Sequence, residues 1–203
     1  MTINTPLDRK DKKDKNEKML FLYKFFRAPK QIGSVTPSSR FLARKMVEAV
    51  PWPEIRYTAE LGAGTGAITK FIHNARNHPG KFILFERDAL LRGQLSQMYP
   101  DYTCYPDATQ ITNALQSEGI PHLDCILSGL PFFNFEQSVR DKLLEQILLS
   151  LRPGGWFVAF QYSFQMKKQL KEHFNIESIN FVPYNIPPAF VYVCRKEQLS
   201  DLF

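Results

Sequence analysis

The chain has 203 residues, 44% hydrophobic and 23% charged, which suits one domain with a sizeable buried core. Its three cysteines, Cys104, Cys125 and Cys194, lie too far apart for a disulfide framework or a metal cluster, so a reducing compartment and no metal are expected. No signal peptide and no apolar run of the roughly 20 residues needed by a spanning helix are expected. The formal charge of +6 is unevenly placed: residues 1–30 hold nine Lys/Arg against four Asp/Glu, and residues 31–203 hold 17 against 16. A basic arm ahead of a nearly neutral body suits an anionic membrane or a nucleic acid, or is a solvated leader.

Residues 1–16 are polar, charged and without a hydrophobic period, and a disordered leader is expected there. Glu17 to Ala28 then reads as a short, broadly apolar helix ended by Pro29. Residues 29–39 read as a loop, and Ser38 or Ser39 is placed to cap a second helix over 39–50, stopped by Pro51. From Arg56 the pattern alternates. Strands are expected near 56–61, 81–86, 102–106, 123–128 and 155–161, and helices near 66–77, 88–98, 109–118 and 136–151. This is βαβ spacing, which implies a largely parallel sheet covered on both faces. A helix near 166–173 follows. Strand candidates at 175–182 and 189–195, separated by a proline-rich turn, form a closing antiparallel hairpin. The organisation expected is thus a leader (1–16), a lid of helix, loop and cap helix (17–50) and an α/β domain (51–203).

The first strand runs into Gly62-Ala63-Gly64-Thr65-Gly66, with Glu60 two residues ahead of the first glycine. Glycines allow a sharp turn and close approach to a ligand, and the helix that follows presents unpaired N–H groups. Such a crevice lies at the carboxyl ends of parallel strands. The Gly-x-Gly-x-Gly spacing is not that of a dinucleotide pyrophosphate loop, and no Gly-Lys-Ser/Thr ending marks a P-loop. A carboxylate at Glu60 would repel pyrophosphate but accept bonds from a ligand ammonium, directly or through water. Glu86, followed by Arg87, ends the second strand and is placed to accept from two ribose hydroxyls; the bland reading is an acid near a helix start. Asp107, followed by Ala108, ends the third strand and either accepts from an adenine amino group or caps the next helix.

The fourth strand ends in Ser128-Gly129-Leu130-Pro131-Phe132. Backbone carbonyls near Ser128, Gly129 and Leu130 are placed to orient an amine lone pair, and the Phe132 ring to hold a developing cation over its π face. The alternative is that Phe132, Phe133 and Phe135 are core or lid residues. Tyr162, beyond the fifth strand, and after it Tyr184 and Asn185 are candidate headgroup contacts. No clear general base is visible; His73, His78 and His122 are placed away from the crevice.

Glu60 to Gly66, Glu86, Asp107 and the later Leu151-Arg152-Pro153-Gly154-Gly155 together resemble class I S-adenosylmethionine-dependent methyltransferases, in order and spacing, over Arg56 to Lys196. The resemblance implies a Rossmann-like fold with a mostly parallel seven-stranded sheet, helices on both faces, and S-adenosylmethionine held by Glu60, Gly62, Ala63, Gly64, Thr65, Gly66, Glu86, Arg87, Asp107, Ala108 and Ser128. Phe25 to Ser39 and the Ser128–Pro131 segment further resemble bacterial phospholipid N-methyltransferases. That likeness implies methylation of phosphatidylethanolamine and its mono- and dimethyl forms, towards phosphatidylcholine. It also implies a cytoplasmic protein on the inner face of the membrane, with Lys18, Tyr23, Lys24, Phe25, Phe26, Arg27 and Lys30 as membrane contacts. Ser34 and Ser38 would lie near cofactor or headgroup phosphate. The rival is an RNA adenine N6-methyltransferase, against which the nearly neutral body argues; a protein or small-molecule N-methyltransferase is also open. A monomer is expected.

Overall fold

The structure is a computed structural model and describes residues 38–76 and 79–197. The leader, the first expected helix and Ser34, Lys18, Tyr23, Lys24, Phe25, Phe26, Arg27 and Lys30 lie outside the described residues, as does His78.

The described residues open with helix α1, Arg40–Glu48, capped by the Ser39 hydroxyl, which accepts from the Leu42 amide. Strand β1, Thr58–Leu61, leads to helix α2, Thr69–Ala75. Strand β2 (Phe82–Phe85), helix α3 (Ala89–Met98), strand β3 (Thr103–Tyr105) and helix α4 (Ile111–Glu118) follow. Then come strand β4 (Leu123–Ser128), helix α5 (Gln137–Ser150), strand β5 (Leu151–Gln161), helix α6 (Lys167–Lys171) and strands β6 (Phe174–Val182) and β7 (Ala189–Lys196).

These strands form one seven-stranded sheet ordered β3-β2-β1-β4-β5-β7-β6. The pairs among β1 to β5 are parallel, and β7 is antiparallel to both β5 and β6. The expected hairpin is present, with its second strand inserted beside β5. Interior strands such as Phe82-Ile83-Leu84-Phe85 are apolar and buried on both faces, which requires a covering layer on each side. Alternate side chains divide accordingly. Leu61, Ile83, Phe85 and Ile126 join α4, α5 and α6 residues in one core. Phe82, Leu84, Cys125 and Leu127 join α1, α2 and α3 residues in the other. Fully burying each such aliphatic or aromatic side chain stabilises the fold by about 1.5–3 kcal/mol before conformational entropy is set against it.

Two expected boundaries move. The helix after β1 starts at Thr69 rather than near 66, because Gly62, Gly64 and Gly66 have φ of 74°, 57° and 82°, outside the helical region. The Arg152-Pro153-Gly154-Gly155 turn becomes an irregularity inside one long strand. Leu151 already pairs with Leu123, and regular pairing resumes at Trp156 with Cys125.

The first three strands step outward from β1, and the chain then crosses back to β4 on the other side of β1. That reversal opens a crevice at the carboxyl ends of β1 and β4, where the glycine loop and the 128–135 segment meet.

Candidate functional site

The glycine loop is held by backbone bonds. The amides of Gly62 and Ala63 both donate to the Phe85 carbonyl, at 2.8 and 3.1 Å, and the Gly66 amide donates to the Ala63 carbonyl at 2.9 Å. A Cβ on Gly62 would stand 2.8 Å from Leu130 Cδ2, whereas nothing lies within 4 Å of where one would stand on Gly64. The loop is therefore closed on its Leu130 side and open at Gly64. Thr65 is exposed, Ala63 is buried and Gly66 packs towards Leu95.

Glu86 sits at the lip. One oxygen accepts from the Gly64 amide at 2.8 Å and the other from the Asp88 amide at 2.9 Å. The Arg92 guanidinium donates to the carbonyls of Glu86 and Arg87, holding the turn after β2; the Arg87 side chain is exposed. Sequence reasoning did not single out Arg92, although a cation one helical turn into α3 was the available signal. Asp88, not Glu86, caps α3.

Glu60 lies deeper than expected. It is fully buried beneath the loop, with one oxygen accepting from the Thr69 hydroxyl at 2.6 Å and the other without a hydrogen-bond partner. Burial pushes its carboxyl up to about 8, opposed by the Thr69 bonds. Asp107 takes the capping reading: its side chain accepts from the Thr109 amide at 2.8 Å, at the start of a short 3-10 turn over Ala108–Gln110. Both of its readings remain compatible, since the bond is to one oxygen.

The segment after β4 lies against the glycine loop. The Gly129 amide donates to the Leu61 carbonyl at 2.8 Å, and a Cβ on Gly129 would stand 2.9 Å from the Gly62 carbonyl oxygen. The Ser128 side chain is fully buried, its hydroxyl accepting from the Leu130 amide. The Leu130 carbonyl accepts from the Phe132 amide and from Gln161 Nε2, at 3.0 and 3.2 Å. Gln161, buried at the carboxyl end of β5, was missed; a polar residue closing an otherwise apolar strand was its only sequence signal. Phe132 is corrected. Its ring is 1% exposed and packs edge-on against Phe157 at 6.2 Å, so it is a core residue rather than the wall of an amine site. Phe132 opens the 3-10 turn Phe132–Asn134, and Phe133 and Phe135 are half-buried.

On the far side of the crevice, burial pushes the Tyr162 hydroxyl up to about 12, so it remains protonated at neutral pH. It shares a hydrogen bond with Asn185. Asn185 is buried; its Oδ1 accepts from the Ser39 amide at 3.0 Å and its Nδ2 donates to the Pro187 carbonyl at 2.8 Å. Tyr184, chosen from the sequence together with Asn185, points outward at 73% exposure with its ring 5.4 Å from Phe41. Ser38 is half-buried just ahead of α1. His73 shares a hydrogen bond with the Tyr102 hydroxyl, and His122 packs edge-on against Tyr57. Among the described residues no group of three or more His, Cys, Asp or Glu could hold a metal ion, and no helix is long and apolar enough to cross a membrane.

No protein-family model matches the chain. An ornithine lipid N-methyltransferase of Singulisphaera acidiphila is 36% identical over 182 residues, covering 87% of this chain and 94% of that protein. The N-methyltransferase NodS of Bradyrhizobium japonicum, solved in complex with S-adenosyl-L-homocysteine, superposes with a TM-score of 0.63 at 12% identity, over 84% of this chain and 92% of that one. TrmN of Thermus thermophilus superposes with a TM-score of 0.64 at 18% identity, over 86% of this chain and 53% of that one. At these identities the solved structures speak for the fold, and the sequence relative speaks for the family.

Proposed function

The chain belongs to the family of the ornithine lipid N-methyltransferase, enzymes of class I fold that use S-adenosylmethionine, and from that premise we propose that it methylates the headgroup amine of a membrane lipid. The observation that carries the reading is the 36% identity sustained over 94% of a lipid-modifying relative. It favours an ornithine-type headgroup as the acceptor. A second acceptor series, phosphatidylethanolamine and its mono- and dimethyl forms, is favoured by the resemblance of residues 25–39 to phospholipid N-methyltransferases. Work at the inner face of the membrane is part of the same proposal.

The residues present fit the cofactor. Gly64 is open where a side chain would stand, an acid lies at the lip and an unpartnered carboxyl oxygen lies below. Bound there, S-adenosylmethionine supplies a methyl group on a sulfonium, already electrophilic. Glu86, which now accepts from the Gly64 and Asp88 amides, would accept from the ribose hydroxyls. Asp107, with Ala108 beside it, would accept from the adenine amino group, and Glu60 from the ammonium end, beneath a wall formed by Gly62, Ala63, Thr65 and Gly66.

The acceptor nitrogen needs alignment more than activation. Residues 128–130 pass directly over the glycine loop, so their backbone sets the approach of the amine. Gln161 fixes that backbone through the Leu130 carbonyl. An alkylamine with an ordinary pKa of about 10 must lose its proton first, and apolar walls favour the neutral form. Tyr162, protonated at neutral pH, offers the headgroup a hydroxyl rather than a base. Ser34 and Ser38 are proposed to face the cofactor or, with a phospholipid acceptor, its headgroup phosphate, and the basic residues 18–30 the lipid surface.

The test incubates the protein with methyl-labelled S-adenosylmethionine and, separately, vesicles containing ornithine lipid, vesicles containing phosphatidylethanolamine, RNA, and soluble amines. Label in either lipid is expected, and its distribution ranks the two acceptors. Label confined to RNA or to a soluble amine would overturn the proposal.

A further inference from the structure

Five of the nine exposed large hydrophobic side chains among the described residues gather at one end of the sheet: Phe41, Phe164, Phe181, Tyr184 and Ile186. This is the carboxyl end of β5, where the β6–β7 turn stands beside the start of α1. The turn is the most prominent part, with Tyr184 73% and Ile186 78% exposed. Phe41 flanks it on one side, its ring 5.4 Å from Tyr184. On the other side Phe164 and Phe181 pack on Phe190, at 4.2 and 5.1 Å between ring centroids. Isolated exposed apolar residues need no explanation, but five of them, four aromatic, at the end of the sheet that carries the candidate site do.

We propose that the β6–β7 turn and the start of α1 form a surface that seats in the interfacial layer of an anionic lipid bilayer, presenting the crevice to headgroups. The inference rests on the lipid reading above. Two observations select a bilayer as the occupant. The ten residues from Phe181 to Phe190 include no ionisable side chain other than Tyr184, so entering the interface desolvates no formal charge. The adjoining helix α1 with its cap holds Arg40, Arg44 and Lys45 against one acid, Glu48, which is paired with Arg44, and the Arg40 guanidinium lies 4.9 Å from the Phe41 ring centre. Apolar rings flanked by cations match a surface whose acyl boundary lies beneath anionic headgroups. The rim is also rigid: Asn185 within the turn ties the Ser39 amide and the Pro187 carbonyl together. A preordered surface loses less freedom on docking.

The full chain carrying Phe41→Ser and Ile186→Ser would be compared with the wild type by sedimentation with vesicles of phosphatidylglycerol and phosphatidylcholine in equal parts. Partitioning is expected to fall by about tenfold or more, because two exposed apolar side chains are lost from the contact. Thermal melting and turnover of a monomeric short-chain lipid acceptor are expected to be unchanged. Wild-type partitioning by the variant would overturn the surface. Failure of the wild type to methylate any lipid would instead overturn the proposed function, and the sedimentation comparison would still decide the surface. In a second arm, Ile186→Trp should be quenched by aqueous acrylamide without vesicles and protected with them. Protection in both conditions would mean that another part of the chain covers the turn, and would overturn the proposal.

Discussion

Glu60 and Glu86 close neighbouring strands, yet their surroundings divide their work. Glu86 is at the lip, where both oxygens meet amides and can exchange one of them for a ligand hydroxyl. Glu86→Ala should weaken S-adenosylmethionine binding about tenfold to hundredfold, from the loss of charge-assisted hydrogen bonds, when measured by calorimetry. An unchanged affinity would remove Glu86 from the site. Glu60 is a buried acid whose carboxyl rises to about 8, so the folded chain keeps a proton that the unfolded chain releases near 4.5. Its favourable contribution is complete below the unfolded value, declines as pH rises, and is gone above the folded one. Glu60→Gln keeps an acceptor for Thr69 but cannot ionise. Its melting temperature should therefore fall less than that of the wild type between about pH 5 and pH 8. Parallel melting curves would show that this carboxyl is not what drives the dependence. Gly62 combines φ of 74° with the contact to Leu130, so Gly62→Ala should cost about 1–3 kcal/mol of stability in urea unfolding and displace the acceptor segment. The glycine turn and the two acids beside it were legible in the sequence, because a tight loop at a strand end is written in a short contiguous motif. For Phe132 the sequence left a cation-facing and a core reading open, because a motif does not state which way a ring turns, and its burial favours the core reading.

At the scale of elements, the strands and helices from β1 to β7 appear in the expected order, and their ends shift where backbone geometry outweighs side-chain pattern. Hydrophobic periodicity records which residues are buried, not where φ leaves the helical region, so α2 begins three residues later than expected. Likewise, Pro153 and Gly154 announce a turn, while pairing of Leu151 with Leu123 carries the strand through it. Asn185 shows what no local pattern reveals. It bonds the Ser39 amide across 146 residues, joining the cap of α1 to the β6–β7 turn. Asn185→Ala should destabilise the fold by about 1–3 kcal/mol in urea unfolding, since it leaves donor and acceptor groups without partners. Asn185→Asp retains the acceptor for Ser39 and should recover part of that loss. If both variants matched the wild type, the tie would be incidental.

Across the whole molecule, the two ends of the sheet have separate tasks. At the amino end, Asp124 accepts from the Arg56 and Tyr57 amides at 2.9 Å each and from Arg152 Nε at 2.6 Å, joining the start of β1 to β4 and to the irregular part of β5. Asp124→Ala should cost about 3 kcal/mol of stability in urea unfolding and leave cofactor affinity of the folded protein unchanged, because the site is at the opposite end. Loss of affinity without loss of stability would contradict that division. The sequence by itself determined the alternation of elements, the sheet buried on both faces, the glycine loop and its acids, since each follows from local composition and spacing. Only the tertiary structure decided that Glu60 lies beneath the loop, that Phe132 belongs to the core, that Gln161 and Asn185 brace the crevice, and that β7 enters between β5 and β6. The physical reason is that burial, side-chain direction and hydrogen bonding between residues far apart in the chain arise only when distant elements pack.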